Sequence, residues 1–275
     1  MAISAADVSK LRKTTGAGMM DCKNALNEAD GDFDKAIDII RKKGQAIANK
    51  RADRDATEGV VLSNVSADGK KGALMVLNCE TDFVAKNESF IALAESILNL
   101  ALKSDAKSAD DLKELQLNGV AVKDVIIEQI GVIGEKLDIP YFDVVNAETV
   151  VAYIHPGNKL ATLVGLNQPG VDVQIGRDVA MQVAAMNPVS VDRDSVPQEV
   201  IDKELEIAKE VTRQEGKPED MVEKIAMGRL TKFFKESTLL DQVFVKDGKI
   251  SIREHLQNTN KALTVTEFKR YSLNN

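Results

Sequence analysis

The chain has 275 residues, of which 44% are hydrophobic and 29% charged, so it is long and apolar enough to bury a core. Its formal net charge is −7 and it contains no Trp and three Tyr, which argues against a general nucleic-acid binder with a basic field or stacking aromatics. The N-terminus has no apolar signal core and no stretch reaches the roughly 18 apolar residues of a membrane span, so we predict a cytoplasmic protein without membrane contact.

The first segment carries the boundary signals of three short helices. Ser4 and Asp7 stand at capping-box spacing, and a second helical pattern covers residues 19–29. Asp32 is a candidate N-cap for a third helix, which we expect Gly44 to end. Short amphipathic helices bury their apolar stripes against one another, so the sequence predicts a compact three-helix module.

Two methionines, Met19 and Met20, follow the glycine-rich turn before the second helix. Flexible methionine side chains beside such a turn suit an adaptable contact with a partner, and they suit a small core equally well. The pattern leaves both interpretations open. The segment 45–59 mixes acidic and basic residues, which favours a solvated helical linker over a basic arm for nucleic acid.

The middle of the chain contains a repeated pattern. From Glu58 the periodicity becomes strand, turn, strand and then helix, and the same order returns from Glu148. The echoes of EGVV in ETVV and of MVLN in VGLN indicate an internal duplication. Between the copies, residues 120–137 predict a helix that Pro140 ends. Each half is therefore expected to be a hairpin with helices, an α+β arrangement.

The second half carries a predicted insertion at about residues 189–228. Ser195 and Gln198 stand at capping-box spacing, and Pro197 lies in the first turn, where its missing amide costs little. Residues 216–218 turn the chain, and a second charged amphipathic helix follows. Two such helices joined by a short turn predict an antiparallel hairpin that projects from the body.

The usual catalytic motifs are missing from the sequence. There is no GxxxxGK[ST] phosphate loop and no GxGxxG that opens a helix, and His155 and His255 are not at metal-ligand spacing from another His or Cys. Cys22 and Cys79 lie far apart, which predicts free thiols in a reducing compartment. Cys79 follows an apolar strand and has no recognisable base, so we expect a buried structural thiol. No catalytic residue, metal ligand or cofactor is predicted.

One stretch between a strand and a helix has two interpretations. In CETDFVAKN, which covers Cys79–Asn87, Thr81 or Asp82 can cap a helix while Phe83 folds into the core. Alternatively, an acidic group and an aromatic side chain lie together at the apex of a loop and insert into a partner. His155 is likewise either a solvated turn residue or a contact residue.

At these residues the chain resembles the elongation factor Ts family. The segments that carry the resemblance are LRKTTGAGMMDCKNAL (Leu11–Leu26), NCETDFVAKN (Asn78–Asn87), VAAMNP (Val183–Pro188) and GKPEDMVEKIAMGRLTKFF (Gly216–Phe234). The resemblance implies a guanine-nucleotide exchange factor of protein biosynthesis, which binds elongation factor Tu·GDP and promotes GDP release so that GTP can bind. It implies no enzyme of bond chemistry.

The resemblance also implies a domain layout that agrees with the one read from the pattern. A ubiquitin-associated-like three-helix domain with its linker would cover residues 1–54. A duplicated α+β core of two related subdomains would follow at 55–140 and 141–275, and the second would carry the helical hairpin at about 189–228. The partner would be a protein rather than nucleic acid, and a homodimer or a 2:2 complex stays open.

Residue roles follow from the same resemblance. Asp82 and Phe83, flanked by Thr81 and Val84, would intrude beside the magnesium site of the partner's GTPase domain. Because magnesium tolerates little deviation from octahedral geometry, a small shift of its ligands would weaken both the ion and the phosphates it bridges. The further partner contacts implied are Arg12, Met19 and Met20 in the N-terminal domain and Ile133, Gly134 and His155 in the core.

Two other classes of protein remain compatible with the pattern. A ubiquitin-associated-type module on a scaffold protein would bind through residues 1–45 and would not need Phe83. An enzyme for a small molecule would depend on Cys79 or His155, again without a role for Phe83.

Overall fold

The computed structural model describes residues 3–274, so residues 1–2 and 275 of the predicted domains lie outside the described residues. Its helices are α1 (Ala5–Thr15), α2 (Met19–Glu28), α3 (Phe33–Arg51), α4 (Asp82–Ala85), α5 (Glu88–Leu102), α6 (Ala109–Glu114), α7 (Val122–Ile133), α8 (Val173–Met186), α9 (Gln198–Gln214), α10 (Glu219–Ser237) and α11 (Ile252–Thr259). Its strands are β1 (Glu58–Val65), β2 (Lys71–Cys79), β3 (Gln116–Leu117), β4 (Val120–Ala121), β5 (Asp138–Asn146), β6 (Thr149–Ile154), β7 (Leu160–Leu166) and β8 (Val265–Ser272). The predicted α+β class is confirmed.

Helices α1, α2 and the first half of α3 share a small core that includes Leu11 and Leu26. The predicted capping box begins α1, because the Ser4 hydroxyl accepts from the Asp7 amide at 3.2 Å and the Asp7 carboxylate accepts from the Ser4 amide at 3.1 Å. Asp32 caps α3 as predicted. These side chains satisfy backbone amides that have no partner within the helix.

Helix α3 does not end at Gly44, as the sequence predicts, but continues to Arg51. Gly44 is buried against α7, where a Cβ on Gly131 would lie 2.8 Å from the Gly44 Cα. The two backbones meet without side chains between them, which explains a glycine inside a helix despite its cost of about 1 kcal/mol relative to alanine. An ion pair between Arg41 and Glu128, at 2.7 Å, spans the same interface.

We expect Gly131→Ala to lower the free energy of unfolding by roughly 1–3 kcal/mol, because the added methyl group forces α3 and α7 apart. Urea denaturation measures the change. Gly228→Ala is the matched control, since Gly228 lies exposed inside α10 and a Cβ there would meet nothing within 4 Å. That control is expected to be neutral or stabilising. A Gly131→Ala protein as stable as the control would contradict the close approach.

The first sheet has the order β1-β2-β5, with antiparallel pairing throughout. Its helix-covered face forms a core with α5 and α7 that includes Phe90, Ile97 and Leu77. Pro140 does not end α7, contrary to the prediction, because Gly134 ends that helix and Pro140 lies within β5. This edge strand changes register against β2 near Pro140, which is a position where a missing amide is tolerated.

The second sheet has the order β6-β7-β8 and packs against α8. The core on this side includes Val164, Val183 and Leu256. A further apolar layer, to which Leu74 of β2 and Leu163 of β7 contribute, joins the two sheets. The two sheets therefore enclose one shared layer between them.

Helices α9 and α10 form the predicted antiparallel pair. The ion pairs between them are Lys209–Glu223 at 2.7 Å and Arg213–Glu219 at 2.9 Å, and their order along the two helices shows the antiparallel direction. Helix α10 continues to Ser237, so the pair extends beyond the predicted limit at residue 228.

The cap predicted for α9 is wrong. The Ser195 hydroxyl donates to Asp192 at 2.6 Å within a 3-10 turn, and Pro197 itself occupies the N-cap position without a side-chain hydrogen bond. Between residues 3 and 274, no helix is both long enough and apolar enough to span a bilayer.

Candidate functional site

The stretch after β2 forms the single-turn helix α4. Thr81 is its N-cap, and the Thr81 hydroxyl accepts from the Val84 amide at 3.4 Å. Ala85 is buried and Val84 packs against the main core, whereas Phe83 is 83% exposed. The interpretation of Phe83 as a core residue is therefore wrong, and its ring is exposed to solvent.

Asp82 places a negative charge beside that ring. The Lys86 ammonium donates to the Asp82 carboxylate at 2.6 Å. This hydrogen bond, together with the charges of Lys86 and Lys159, lowers the pKa of Asp82. An ionised carboxylate and an exposed aromatic ring thus occupy consecutive residues of one turn.

Two glutamates hold the loop before α4. The carboxylate of each one accepts hydrogen bonds from backbone amides in the loop that contains the other. Glu135 accepts from the amides of Glu80 and Thr81 at 3.1 and 3.0 Å, and from the Thr81 hydroxyl at 2.7 Å. Glu80 accepts from the Lys136 amide at 2.6 Å and from the Arg51 guanidinium at 3.0 and 2.8 Å. We call this arrangement of Glu80 and Glu135 the glutamate clamp.

The environment of Glu80 favours its ionised form. Burial opposes ionisation, but the hydrogen bonds from the Lys136 amide and the Arg51 guanidinium outweigh it, so the pKa of Glu80 lies below its ordinary value of 4.5. Because the folded pKa is depressed, the stabilisation is fully present above pH 4.5 and is lost as the pH falls through the folded value.

We expect Glu80→Gln to lower the free energy of unfolding at pH 7 by roughly 1.5–3 kcal/mol, the range for hydrogen bonds to charged groups. The difference from wild type is expected to shrink as the pH falls below 4.5. Urea denaturation at a series of pH values measures it. Glu114→Gln, which removes an exposed charge paired with Lys123, is the control. A difference that does not change with pH would contradict the assignment.

Helix α7 ends beside the same loop. Gly134 caps it with φ 81°, a left-handed conformation that suits glycine, and its amide donates to the Ile130 carbonyl at 2.8 Å. Ile133 is half-buried against the main core. Glu135 follows directly, so the glutamate clamp brings Ile133 and Gly134 to the loop that carries Asp82 and Phe83.

His155 lies exposed in the turn between β6 and β7, with Nδ1 3.0 Å from the Tyr153 hydroxyl. Lys159 of the same hairpin donates to Glu58 at 2.8 Å. Glu58 begins β1, which pairs with the end of β2 that leads into α4. This turn therefore lies at the same edge of the core as α4.

The predicted contact residues of the first helices surround one turn. Met19 and Met20 are exposed at the start of α2, so the interpretation as core residues is wrong, and Arg12 is exposed in the last turn of α1. A methyl group on Gly16 would lie 3.8 Å from Cγ2 of Val132. The turn between α1 and α2 therefore lies beside the end of α7, next to the segment that carries Ile133.

Cys79 is the buried structural thiol that the sequence predicts. Its Sγ donates to the Thr81 carbonyl at 3.2 Å, and burial, together with the charge of Glu135, raises the pKa of the thiol to about 12. Such a thiol stays protonated at neutral pH and is a poor nucleophile. Across the described part of the chain, no group of three or more His, Cys, Asp and Glu side chains could hold a metal ion.

Comparison with known proteins decides the family. The model described as "Elongation factor TS" matches residues 80–275. The chain is 52% identical to elongation factor Ts of Amoebophilus asiaticus over 98% of both chains. It is 50% identical to that of Porphyromonas gingivalis over 100% of this chain and 99% of the relative, and 50% identical to that of Christiangramia forsetii over 98% of both.

The chain belongs to the elongation factor Ts family. The resemblance carried by the motifs is thereby confirmed. Membership of the elongation factor Ts family makes the chain a translation elongation factor with the role of a nucleotide exchange factor in protein biosynthesis.

Sequence reasoning on the elongation factor Ts motifs missed the glutamate clamp. Glu80 lies inside the second motif, but its partner loop at Glu135 is 55 residues away from it in the sequence. Glutamates are common on surfaces, and nothing in a single sequence pairs one with distant backbone amides. The acidic residue directly after a strand was the only available signal.

Proposed function

We propose that the chain binds elongation factor Tu in its GDP-bound form and promotes GDP release by inserting Asp82 and Phe83 beside the partner's magnesium site. The observation that carries this proposal is the 83% exposure of Phe83 on a turn held by the glutamate clamp. Exposed aromatic side chains on a rigid support are typical anchors of protein interfaces. The ionised Asp82 adds a negative charge that can compete for partner groups near a cation.

The proposed mechanism acts through the magnesium ion of the partner. Magnesium requires near-octahedral coordination, so displacing the elements that carry its ligands weakens the ion and the phosphates it bridges. The effect is a negative coupling between two binding events, and it is reciprocal: GDP weakens the binding of this chain by the factor by which the chain weakens GDP. The chain then accelerates exchange without setting which nucleotide is bound at equilibrium.

We propose further contacts with the same partner on either side of α4. Their support is geometric, since the turn between α1 and α2, the end of α7 and the turn between β6 and β7 all lie near the edge that carries α4. The residues are Arg12, Met19 and Met20 on the first helices, Thr81 and Val84 on the α4 turn, and Ile133, Gly134 and His155 on the core.

We also propose the finer domain layout. Residues 1–54 would form a ubiquitin-associated-like domain with its linker, and the core would be a duplicated pair of α+β subdomains with a helical hairpin in the second. The pair of three-stranded sheets, β1-β2-β5 and β6-β7-β8, supports duplication, as does the helix that follows the hairpin in each half. Because β5 pairs with β2 up to Asn146, we move the division between subdomains from residue 140 to residue 146.

The setting we propose is the cytoplasm, with elongation factor Tu as a protein partner and no direct nucleic-acid or membrane contact. The net charge of −7 supports a protein partner over nucleic acid. The assembly we propose is a homodimer or a 2:2 complex with the partner. Sedimentation of the mixture distinguishes it from a 1:1 complex.

Equilibrium binding tests the proposal. Calorimetry would give the affinity of the chain for purified elongation factor Tu with and without GDP, and the affinity of GDP with and without the chain. We expect each ligand to weaken the other by the same factor. Equal affinity of the chain for both forms of the partner would contradict an exchange role and would favour the scaffold alternative.

A further inference from the structure

We propose that Glu135 is a positioning residue for nucleotide exchange: its carboxylate fixes α4 in one orientation, so that Asp82 and Phe83 are presented to the partner together. This inference rests on the proposed function. Glu135 lies in the loop after α7 and does not belong to the motif containing Phe83.

Helix α4 has four residues, which is too short to be stable by itself. Its ties to the protein are the buried Ala85, the half-buried Val84, the helix α5 that begins three residues after it, and the segment that precedes it. The exposed ring of Phe83 adds no such tie. On the side where α4 begins, its direction depends on how firmly the preceding loop is held.

Glu135 holds that loop at the N-cap itself. Its Oε2 accepts from the amides of Glu80 and Thr81, and its Oε1 accepts from the Thr81 hydroxyl. Because this hydroxyl donates to Glu135, its lone pairs are free to accept from the Val84 amide in the first turn of α4. One threonine side chain thus connects the carboxylate to the helix, and hydrogen bonds to a charged acceptor are stronger than neutral ones.

Glu80 completes the clamp in the opposite direction. Its carboxylate accepts from the Lys136 amide, so the loop before α4 holds the loop after α7. Glu135 in turn holds the loop before α4, so each loop fixes the other. Arg51, the last residue of α3, donates to the same carboxylate. The Lys136 ammonium also donates to the Ala52 carbonyl at 2.7 Å. The ends of α3 and α7 therefore meet the start of α4 at one cluster of hydrogen bonds.

We expect Glu135→Ala to lower the maximal acceleration of GDP release about tenfold, because a misplacement of roughly 1 Å is enough for a loss of this size or more. The chain concentration that gives half of the maximal effect is expected to change little, since the contacts proposed for α1 and α2 are untouched. Stopped-flow release of a fluorescent GDP analogue from purified elongation factor Tu measures both quantities with the full chain.

Three variants separate positioning from general stability. Glu135→Gln keeps an oxygen for the two backbone amides and is expected to restore part of the rate. Thr81→Val removes the connecting hydroxyl and is expected to reproduce part of the loss. Glu114→Ala removes an exposed glutamate of α6 and is expected to leave the rate unchanged.

A double variant and a readout that does not need the partner complete the test. If Glu135 acts through Phe83, then Glu135→Ala adds little to the loss caused by Phe83→Ala. Amide hydrogen exchange of Glu80 and Thr81 is expected to accelerate in Glu135→Ala, while Leu163 in the second sheet stays protected.

The outcomes distinguish the clamp from the proposed function. Full activity of Glu135→Ala beside an active wild type overturns the positioning role, and so do additive losses in the double variant. An inactive wild type overturns the proposed function instead. In that case, unchanged amide exchange at Glu80 and Thr81 overturns the clamp, and faster exchange at these two amides supports it.

Discussion

Phe83→Ala is expected to reduce the maximal acceleration of GDP release from elongation factor Tu by roughly 10- to 100-fold, which corresponds to about 1.4–2.7 kcal/mol. The reason is that the Phe83 ring is exposed in the free chain and is proposed to make an apolar contact in the complex. Because the ring is exposed, removing it deletes almost no packing from the free protein. We therefore expect the free energy of unfolding to stay within about 0.5 kcal/mol of wild type.

Stopped-flow fluorescence of a GDP analogue measures the rate, and urea denaturation measures the stability of the same preparation. Val173→Ala is the matched control, because Val173 is 71% exposed at the start of α8 and no role is proposed for it. Equal acceleration by Phe83→Ala and wild type would keep the exchange function but remove the insertion of Phe83 from the mechanism. Loss of rate together with loss of stability would show that the ring is packed in solution.

The second large effect is expected on stability, from Gly59→Ala. Gly59 lies opposite Asn78 in the first sheet and has φ 145°, a conformation that side chains rarely adopt. A Cβ there would overlap the Leu77 carbonyl oxygen, which is backbone and cannot turn aside. Strain and overlap each cost about 1–3 kcal/mol, so we expect a loss of roughly 3 kcal/mol or more.

Urea denaturation of Gly59→Ala beside Gly69→Ala separates the two costs. Gly69 also has a positive φ, of 72°, but a Cβ there would meet nothing within 4 Å. The control therefore carries the strain of a left-handed residue, about 1–2 kcal/mol, without any overlap. If Gly59→Ala loses no more stability than Gly69→Ala, the close approach at the end of β2 is contradicted.

Local signals in the sequence predicted local structure well. Ser4 and Asp7 form the expected capping box and Asp32 the expected cap, because a cap depends on residues within one turn. The position of the motif around Phe83, between a strand and a helix, is also predictable from the local pattern. The cap expected at Ser195 failed because Asp192, three residues earlier, offers the same hydroxyl a competing partner.

Signals that depend on distant residues could not be interpreted correctly. From the sequence, Gly44 predicts the end of a helix. The buried contact with Gly131 on α7 is instead the reason for a glycine at this position. The glutamate clamp is hidden for the same reason, since Glu135 acts on amides of another loop. Neither pairing leaves a pattern in a single sequence.

The orientation of Phe83 was also undecidable from the sequence. A threonine cap followed by an inward-facing phenylalanine satisfies the same local rules as a cap followed by an outward-facing one. Burial of Ala85 and packing of Val84 decide between them, because they use the inward face of the single turn. The tertiary fold, rather than the motif, exposes the ring.

The most direct test of the account is the release rate of a fluorescent GDP analogue from a cognate elongation factor Tu, with and without the wild-type chain, in magnesium and in EDTA. We predict strong acceleration in magnesium and little in EDTA. The proposed mechanism weakens the coordination of the partner's magnesium ion, and EDTA has already removed that ion. A folded wild-type chain that does not accelerate release in magnesium would contradict the exchange function. Equal acceleration in both buffers would contradict the magnesium mechanism alone.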